Sequence, residues 1–407
     1  MNFYDYYGDG FDVDVLKPRL AKLLNAFRNN EGTDADFLFS SPGRAEFLGN
    51  HTDHNHGKVL VASISCDILA AVKKTDDNFV KICSEGYTPI KISLADTKQK
   101  PSETGSSAGL ARGVAHAIKE KGYSIGGFTA YLTSNVFKGA GVSSSAAFEV
   151  LIAEIFNFLY LDGKLTPVEK AIISQYSENV YFGKPCGLLD QCGIAIGSLC
   201  YLDFYNPTNP KQERFTMPKG YSLVITNTGG DHASLTSHYA AIRSEMESVA
   251  SVFGKKVLAE VDYFEFLQNI PLVKKSVSDR AVLRAMHFYE ENDRVQKETE
   301  TLEKGDFSAF LKLVNESGNS SWMYLQNIVP AGNKERQEVA VALAMCEHYL
   351  AGKGAYRVHG GGFAGTVQAF VPFEILKQFC EGMENVFGKG SCRVLKIRNV
   401  GGAEMKA

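Results

Sequence analysis

Gly139-Ala-Gly-Val-Ser-Ser-Ser-Ala-Ala147 runs directly into the segment Phe148 to Tyr160, in which only Glu149, Glu154 and Asn157 are clearly polar. A helix that is apolar on nearly every face has to be sandwiched between layers, because no orientation leaves it a surface stripe. The turn ahead of it carries glycine, which lets backbone approach another group closely. The first helical amides point outward unpaired, with the positive end of the helix dipole behind them. The sequence therefore predicts a buried helix over 146–160 whose N-terminus faces an anion cradled by Gly139, Ala140, Gly141, Val142, Ser143, Ser144 and Ser145. Taken alone, the same motif also reads as an ordinary Gly/Ser turn with a serine N-cap.

The chain has 407 residues, too many for one ordinary core, so two domains of about 200 residues are the default. With 44% hydrophobic and 22% charged residues and a net charge of −3, its composition is that of a globular protein with no electrostatic pull toward nucleic acid or anionic membrane. Small molecules are the expected partners. The first residues are acidic and no apolar run approaches 18, so a cytoplasmic location is expected. The eight cysteines include no C-x-x-C pair, which predicts reduced thiols rather than a disulfide framework or structural zinc. Nothing in the sequence fixes an oligomeric state, and a monomer suffices.

The best break is Asn206-Pro-Thr-Asn-Pro210, which divides an N-terminal sugar- and phosphate-binding domain, 1–210, from a C-terminal domain, 211–407. Strand-like pieces at 36–40, 58–72, 79–83 and 128–133 precede it, interleaved with helices at 108–121, 146–160 and 167–182. Helices at 238–253, 278–305, 306–319, 335–352 and 372–387 dominate the remainder. That non-alternating order predicts an α+β fold rather than a doubly wound parallel sheet.

Three further segments carry chemistry. Ser41-Pro-Gly-Arg-Ala-Glu-Phe-Leu-Gly-Asn-His-Thr-Asp-His-Asn-His-Gly57 gathers Arg44, Asn50, His51, Asp53, His54 and His56 within thirteen residues. Imidazole and carboxylate groups so close could ligate a metal. A hydroxyl-rich ligand fits better, because Asp, Asn and His supply the directional donors and acceptors that several hydroxyls need. In Ser177-Glu-Asn-Val-Tyr-Phe-Gly-Lys-Pro-Cys-Gly-Leu-Leu-Asp-Gln-Cys192, Asp190 stands in apolar company and needs a cation, backbone amides or a chemical task. Arg357-Val-His-Gly-Gly-Gly-Phe-Ala-Gly365 matches G-x-G-x-x-G but leads into an apolar strand instead of a helix, which excludes a dinucleotide fold. It is left as a glycine turn that could close over phosphates.

In this order, these motifs resemble the sugar and small-metabolite kinases that include galactokinase, homoserine kinase, mevalonate kinase and phosphomevalonate kinase (the GHMP kinases). The first is similar to the galactokinase signature, close to Pro-Gly-Arg-x-x-x-x-Gly-Glu-His-Thr-Asp-Tyr-Asn. Pro185-Cys-Gly-x-x-Asp-Gln191 strengthens the likeness. The resemblance implies the two-domain GHMP-kinase fold with the active site between domains, and ATP- and Mg2+-dependent phosphorylation of the anomeric hydroxyl of a hexose, foremost α-D-galactose. It implies Asp190 as general base and Arg44 beside it, steadying charge on the transferring phosphoryl group. Ser145 and Glu178 would hold Mg2+, residues 139–145 would receive the ATP phosphates, and Asn50, His51, Asp53, Gly187 and Tyr239 would read the sugar.

The chain departs from the pattern where the sugar is read. Asn50 replaces a glutamate that contacts the C6 hydroxyl in galactokinases, His54 replaces a tyrosine and His56 a glycine. Glu316-Ser-Gly-Asn-Ser-Ser321 replaces a Glu-Ser-His-x-Ser-Leu pattern, and the tryptophan usual near the adenine is missing around 105–114. An amide at position 50, helped by charge on His51 or His54, would suit a C6 carboxylate, so a uronic-acid 1-kinase acting on galacturonate is an alternative. A sugar sensor without turnover is a second, against which the intact Ser143–Ala147 turn, Glu178, Asp190 and Arg44 count.

Overall fold

A computed structural model describes residues 4–8, 11–136, 141–230 and 235–406. Its first sheet contains β1 (Phe37–Leu48), β2 (Lys58–Lys74), β3 (Phe79–Ser84), β4 (Ile90–Ser93), β5 (Phe128–Ser134), β6 (Leu199–Asp203), β7 (Lys211–Phe215) and β12 (Ala403–Glu404). The order is β12-β1-β2-β5-β3-β4, and β6 with β7 extends from β2. β2, rich in Val, Ile and Leu, is long enough to pair with β6 along 58–62 and with β5 along 68–74. The second sheet, β11-β8-β10-β9, is antiparallel throughout and is formed by β8 (Tyr221–Asn227), β9 (Ala355–His359), β10 (Thr366–Pro372) and β11 (Cys392–Leu395). One apolar core joins the sheets: Ile225, Phe370 and Leu395 pack in the same cluster as Phe47, Ile64 and Ile155.

The apolar helix is where the sequence puts it, over Ser144–Tyr160, packed against β1, β2 and the helices Ser107–Glu120, Pro167–Tyr176 and Leu189–Ile196. Even its polar Glu149 and Asn157 are buried. Its N-terminus differs in one respect from a serine-capped turn: Ser143 adopts a left-handed conformation (φ 60°) and its side chain caps no backbone amide. Gly139 and Ala140 of the phosphate turn lie outside the described residues.

Two further differences position functional residues. β1 does not stop at residue 40; it continues through Pro42 and Gly43, where its register against β2 shifts by a bulge. Alternation along this extension puts Arg44 and Glu46 on one face and Ala45 and Phe47 on the other. The 167–182 helix, begun by a Thr166/Glu169 capping box, ends as an α-helix at Tyr176 and widens into a π-helical turn, Ser177–Phe182, that carries Glu178. Close packing accompanies the widening: Ser177 Oγ donates to Leu110 O at 2.7 Å, and a Cβ on Gly113 would lie 2.5 Å from that hydroxyl.

A helix over Val13–Glu31, capped by Asp12 and ended by left-handed Gly32, has no counterpart in the expectations because Pro18 interrupts its pattern. It rests on the outer side of β2 and β5. There Asp67, fully buried, accepts from Arg19 (2.9 Å), Ser40 (2.6 Å) and the Tyr7 hydroxyl, with buried Arg398 at 3.4 Å. This node ties both ends of the chain to the first sheet. Asp67→Ala should lower unfolding free energy by about 3–5 kcal/mol, since it strands Arg398 without a counter-charge. A denaturant-unfolding loss below about 1 kcal/mol would contradict that role.

Candidate active site

Arg44 projects from β1 toward the first turn of the Leu189–Ile196 helix, where its Nε and Nη2 meet Asp190 Oδ1 at 2.8 and 2.7 Å. Its Nη1 donates to Gly141 O, and its backbone N–H bonds Val142 O at 3.2 Å. One guanidinium thus joins the strand, the phosphate turn and the aspartate. Ser143 Oγ donates to the other Asp190 oxygen, Oδ2. Arg44 is 6% exposed and Asp190 32%, so the pair is open on the aspartate's side. A part-exposed carboxylate gripped by Arg on one oxygen, with a second lone pair free beside the Ser143 hydroxyl on the other, can accept a proton from a bound hydroxyl. The helix N-terminus at Ser144 lies immediately beside it, a favourable seat for phosphate.

Ser145 Oγ donates to Glu178 Oε1 at 3.0 Å, so the two residues proposed for a metal do meet. Glu178 is 2% exposed; Gln191 Nε2 donates to its second oxygen at 2.8 Å, and Lys184 lies at 3.4 Å. One carboxylate and one hydroxyl, both hard oxygen donors, suit Mg2+ when substrate phosphates and water complete its shell. Among the described residues no three His, Cys, Asp or Glu side chains gather to hold a metal by themselves.

The sugar-reading candidates come together around Asp53 and the glycine hairpin between β9 and β10. Gly187 lies against Asp53, and a Cβ there would fall 1.8 Å from Asp53 Oδ2. Leu189 N–H donates to the same oxygen at 3.2 Å. Burial pushes the Asp53 carboxyl up to about 6, opposed by that amide and assisted by the charge of Asp190. His51 bonds Gly361 O at 3.0 Å and faces His54 across 3.3 Å. Tyr239, on the helix Thr236–Val252, donates to Gly362 O at 2.9 Å, and its ring fills the space a Gly361 side chain would take. The hairpin's carbonyls therefore hold His51 and Tyr239 in place. His56 stands apart, closing the 53–55 turn through its backbone amide.

Two features count against the carboxylate-binding idea at position 50. The Asn50 amide is committed within the protein: Nδ2 donates to Glu46 Oε1 (2.6 Å) and Gly360 O (2.7 Å), and Oδ1 accepts from Asn327 at 2.7 Å. The neighbouring imidazoles are also neutral, because burial lowers His51 to about 4 and His54 well below its ordinary value. With both ends of its amide bonded within the protein, Asn50 is placed to support its neighbours.

Glu46, His359 and Asn327 were not among the sequence candidates. Glu46 N–H donates to His359 Nε2 at 3.2 Å, and burial raises the Glu46 carboxyl to about 7 against the pull of Arg357 and Arg44. The available signal was period two: once β1 is known to run to Leu48, residue 46 shares Arg44's face. The altered 316–321 segment also reports to this place. Ser320 bonds His287, whose other nitrogen bonds Asn50 O at 3.0 Å, and Ser317 bonds Glu291, which accepts from Gly49 N–H at 3.0 Å.

Gly187→Ala should raise the sugar KM by tenfold or more while leaving ATP binding near wild type, because the new methyl displaces the Asp53 carboxylate; equal loss for both substrates would contradict this. Asp53 is raised above the ordinary carboxylate value, so it becomes protonated as pH falls through about 6. Sugar kcat/KM should then drop about tenfold per pH unit below that point, and Asp53→Asn should move the limb to lower pH. A flat profile down to about pH 5 would exclude Asp53 as a charged acceptor.

Known proteins resemble this chain in sequence and fold. The galactokinase galactose-binding signature matches residues 25–74 and the N-terminal domain of GHMP kinases residues 105–198. A galactokinase of Clostridium tetani is 31% identical over 386 residues, 94% of each chain. Among solved structures, galactokinase of Lactococcus lactis, determined with galactose, superposes with a TM-score of 0.82 at 24% identity, over 96% of this chain and all of that one. An L. major mevalonate kinase superposes at 0.59 with 14% identity, over 89% of this chain and 96% of that one, which places the fold among GHMP kinases. Its identity over nearly the whole length to the C. tetani enzyme makes this chain a sugar kinase of the galactokinase family, within the GHMP kinases.

Proposed function

We propose that the chain transfers the γ-phosphoryl group of ATP to the anomeric hydroxyl of α-D-galactose, giving galactose 1-phosphate. The observation that carries this is the joining of Arg44, Asp190 and Ser143 at the N-terminus of the buried helix. Asp190 Oδ1 is held by Arg44, so Oδ2 receives the proton of the C1 hydroxyl. The sugar oxygen forms its bond to the γ-phosphorus as the bond from phosphorus to the β,γ-bridging oxygen breaks, and ADP leaves. Arg44, already fixed by Gly141 and Asp190, offers its guanidinium to the charge that spreads over the moving phosphoryl group. The amides at the start of the 144–160 helix receive the phosphates. Ser145 and Glu178 are the residues that would hold Mg2+, whose charge would neutralise that of the phosphates.

Asp53, Gly187, His51 and Tyr239 form the sugar side, and a division of the chain into 1–210 and 211–407 puts contributions from both halves around it. A cytoplasmic enzyme acting on free sugar and ATP fits this reading; no helix among the described residues is long and apolar enough to cross a membrane. The uronate alternative loses support from the committed Asn50 amide and the neutral imidazoles. A sensor is disfavoured by an intact proton acceptor and phosphate turn.

Coupled ADP release from Mg-ATP should saturate with galactose and fail with galacturonate. Asp190→Asn should lower kcat by at least about 10²-fold while nucleotide affinity stays near wild type. Near-normal turnover in that variant would remove Asp190 as the base. Sugar binding without any ADP release by the wild-type protein would establish the sensor instead.

A further inference from the structure

Position 50, where galactokinases carry a C6-reading glutamate, holds an amide whose hydrogen-bonding groups are all committed, so the contact must be made elsewhere or be missing. A carboxylate is in fact present at the same place, supplied by a different residue. Glu46 Oε1 takes the Asn50 amide at 2.6 Å. Its second oxygen, Oε2, takes no hydrogen bond among the described residues.

We propose that Glu46 carries the carboxyl group that recognises the C6 hydroxyl of the hexose, and that Asn50 is its positioning residue, the glutamate having moved from position 50 to position 46. The proposal rests on the galactose-kinase reading above and assigns one specificity contact within it.

Four observations support it. Glu46 follows Arg44 by two residues on the same face of β1, a separation of roughly 7 Å along the strand. The site that grips Asp190 at the anomeric end is therefore followed directly by a carboxyl group further along the same strand face, as a sugar held lengthwise requires. The Asn50 amide and the Glu46 backbone, bonded to His359, fix the side chain in place. A purely structural role would pair Glu46 with buried Arg357, yet that pair stands open: Arg357 Nη2 lies 3.8 Å from Oε1 and makes no hydrogen bond, while Nη1 is occupied by Phe47 O. Finally, a carboxyl group raised to about 7 can accept from a hydroxyl or donate to it.

A site built to bond a hydroxyl rejects the analogue that lacks it, and a carboxylate there repels a second one. Steady-state kinetics with galactose, 6-deoxygalactose and galacturonate test this on the wild type, E46A, E46Q, N50E and the double swap E46N/N50E. The wild type should prefer galactose over 6-deoxygalactose by roughly a hundredfold or more in kcat/KM. E46A should reduce that preference to near unity, chiefly through the KM for galactose, with the KM for ATP unchanged. If E46A does not fold, E46Q carries the test with a loss of preference of about tenfold. N50E alone, which crowds two carboxylates, should be impaired, and the double swap should regain most of the preference. Undiminished discrimination in E46A or E46Q, or an equal loss for both sugars, would overturn the assignment while leaving the kinase reading intact. A wild-type protein that does not turn over galactose would overturn the kinase reading itself, and this assignment with it.

Discussion

Arg44 is the constraint around which the rest is arranged. It leaves β1 on the face opposite the core, is nearly buried, and must find partners for five N–H groups. It finds them in Asp190 and in the carbonyl of Gly141, two groups that lie 49 residues apart in sequence. Strand, glycine-serine turn and aspartate are thereby held to one another before any substrate arrives. Such preorganisation is what phosphoryl transfer asks of a protein, because the reaction needs alignment and charge compensation more than covalent participation. Ser143 contributes a cost and a purpose together. Its left-handed backbone is unfavourable for a residue with a side chain, and it directs the hydroxyl at Asp190 in place of capping the helix.

Much of this was legible in the sequence, and the failures have definite causes. The 144–160 helix could be read because an all-round apolar helix has only one environment open to it. Asp190 and Glu178 could be singled out because carboxylates in apolar company need a reason. The continuation of β1 past residue 40 could not, since Pro42 and Gly43 break the local signal and only pairing with β2 carries the strand through them. The hidden length of β1 also concealed Glu46, whose alignment with Arg44 exists only if both lie on one strand. The π-helical turn at 177–182 depends on packing against Gly113 and Leu110, far away in sequence. Periodicity within the segment itself carries no trace of it.

Asn50 illustrates the limit most clearly. From the sequence it is a replaced ligand, and the change from acid to amide suggests a change of substrate charge. In the structure its amide is fully bonded, the histidines beside it are neutral, and a carboxylate stands four residues earlier. The altered 316–321 segment supports the same spot through His287 and Glu291. Departures that look independent along the chain thus converge on one small buried network, and their joint effect is a rearrangement of the site's charge rather than its reversal.

The central claim, transfer to the anomeric oxygen, is tested most directly by the product. Galactose labelled with carbon-13 at C1, incubated with Mg-ATP and the wild-type protein, can be followed by phosphorus and carbon NMR. The account predicts a single sugar phosphate in which phosphorus couples to the labelled C1 in the α configuration. A phosphate attached to any other carbon, or a labelled sugar that is never phosphorylated while it binds, would contradict it.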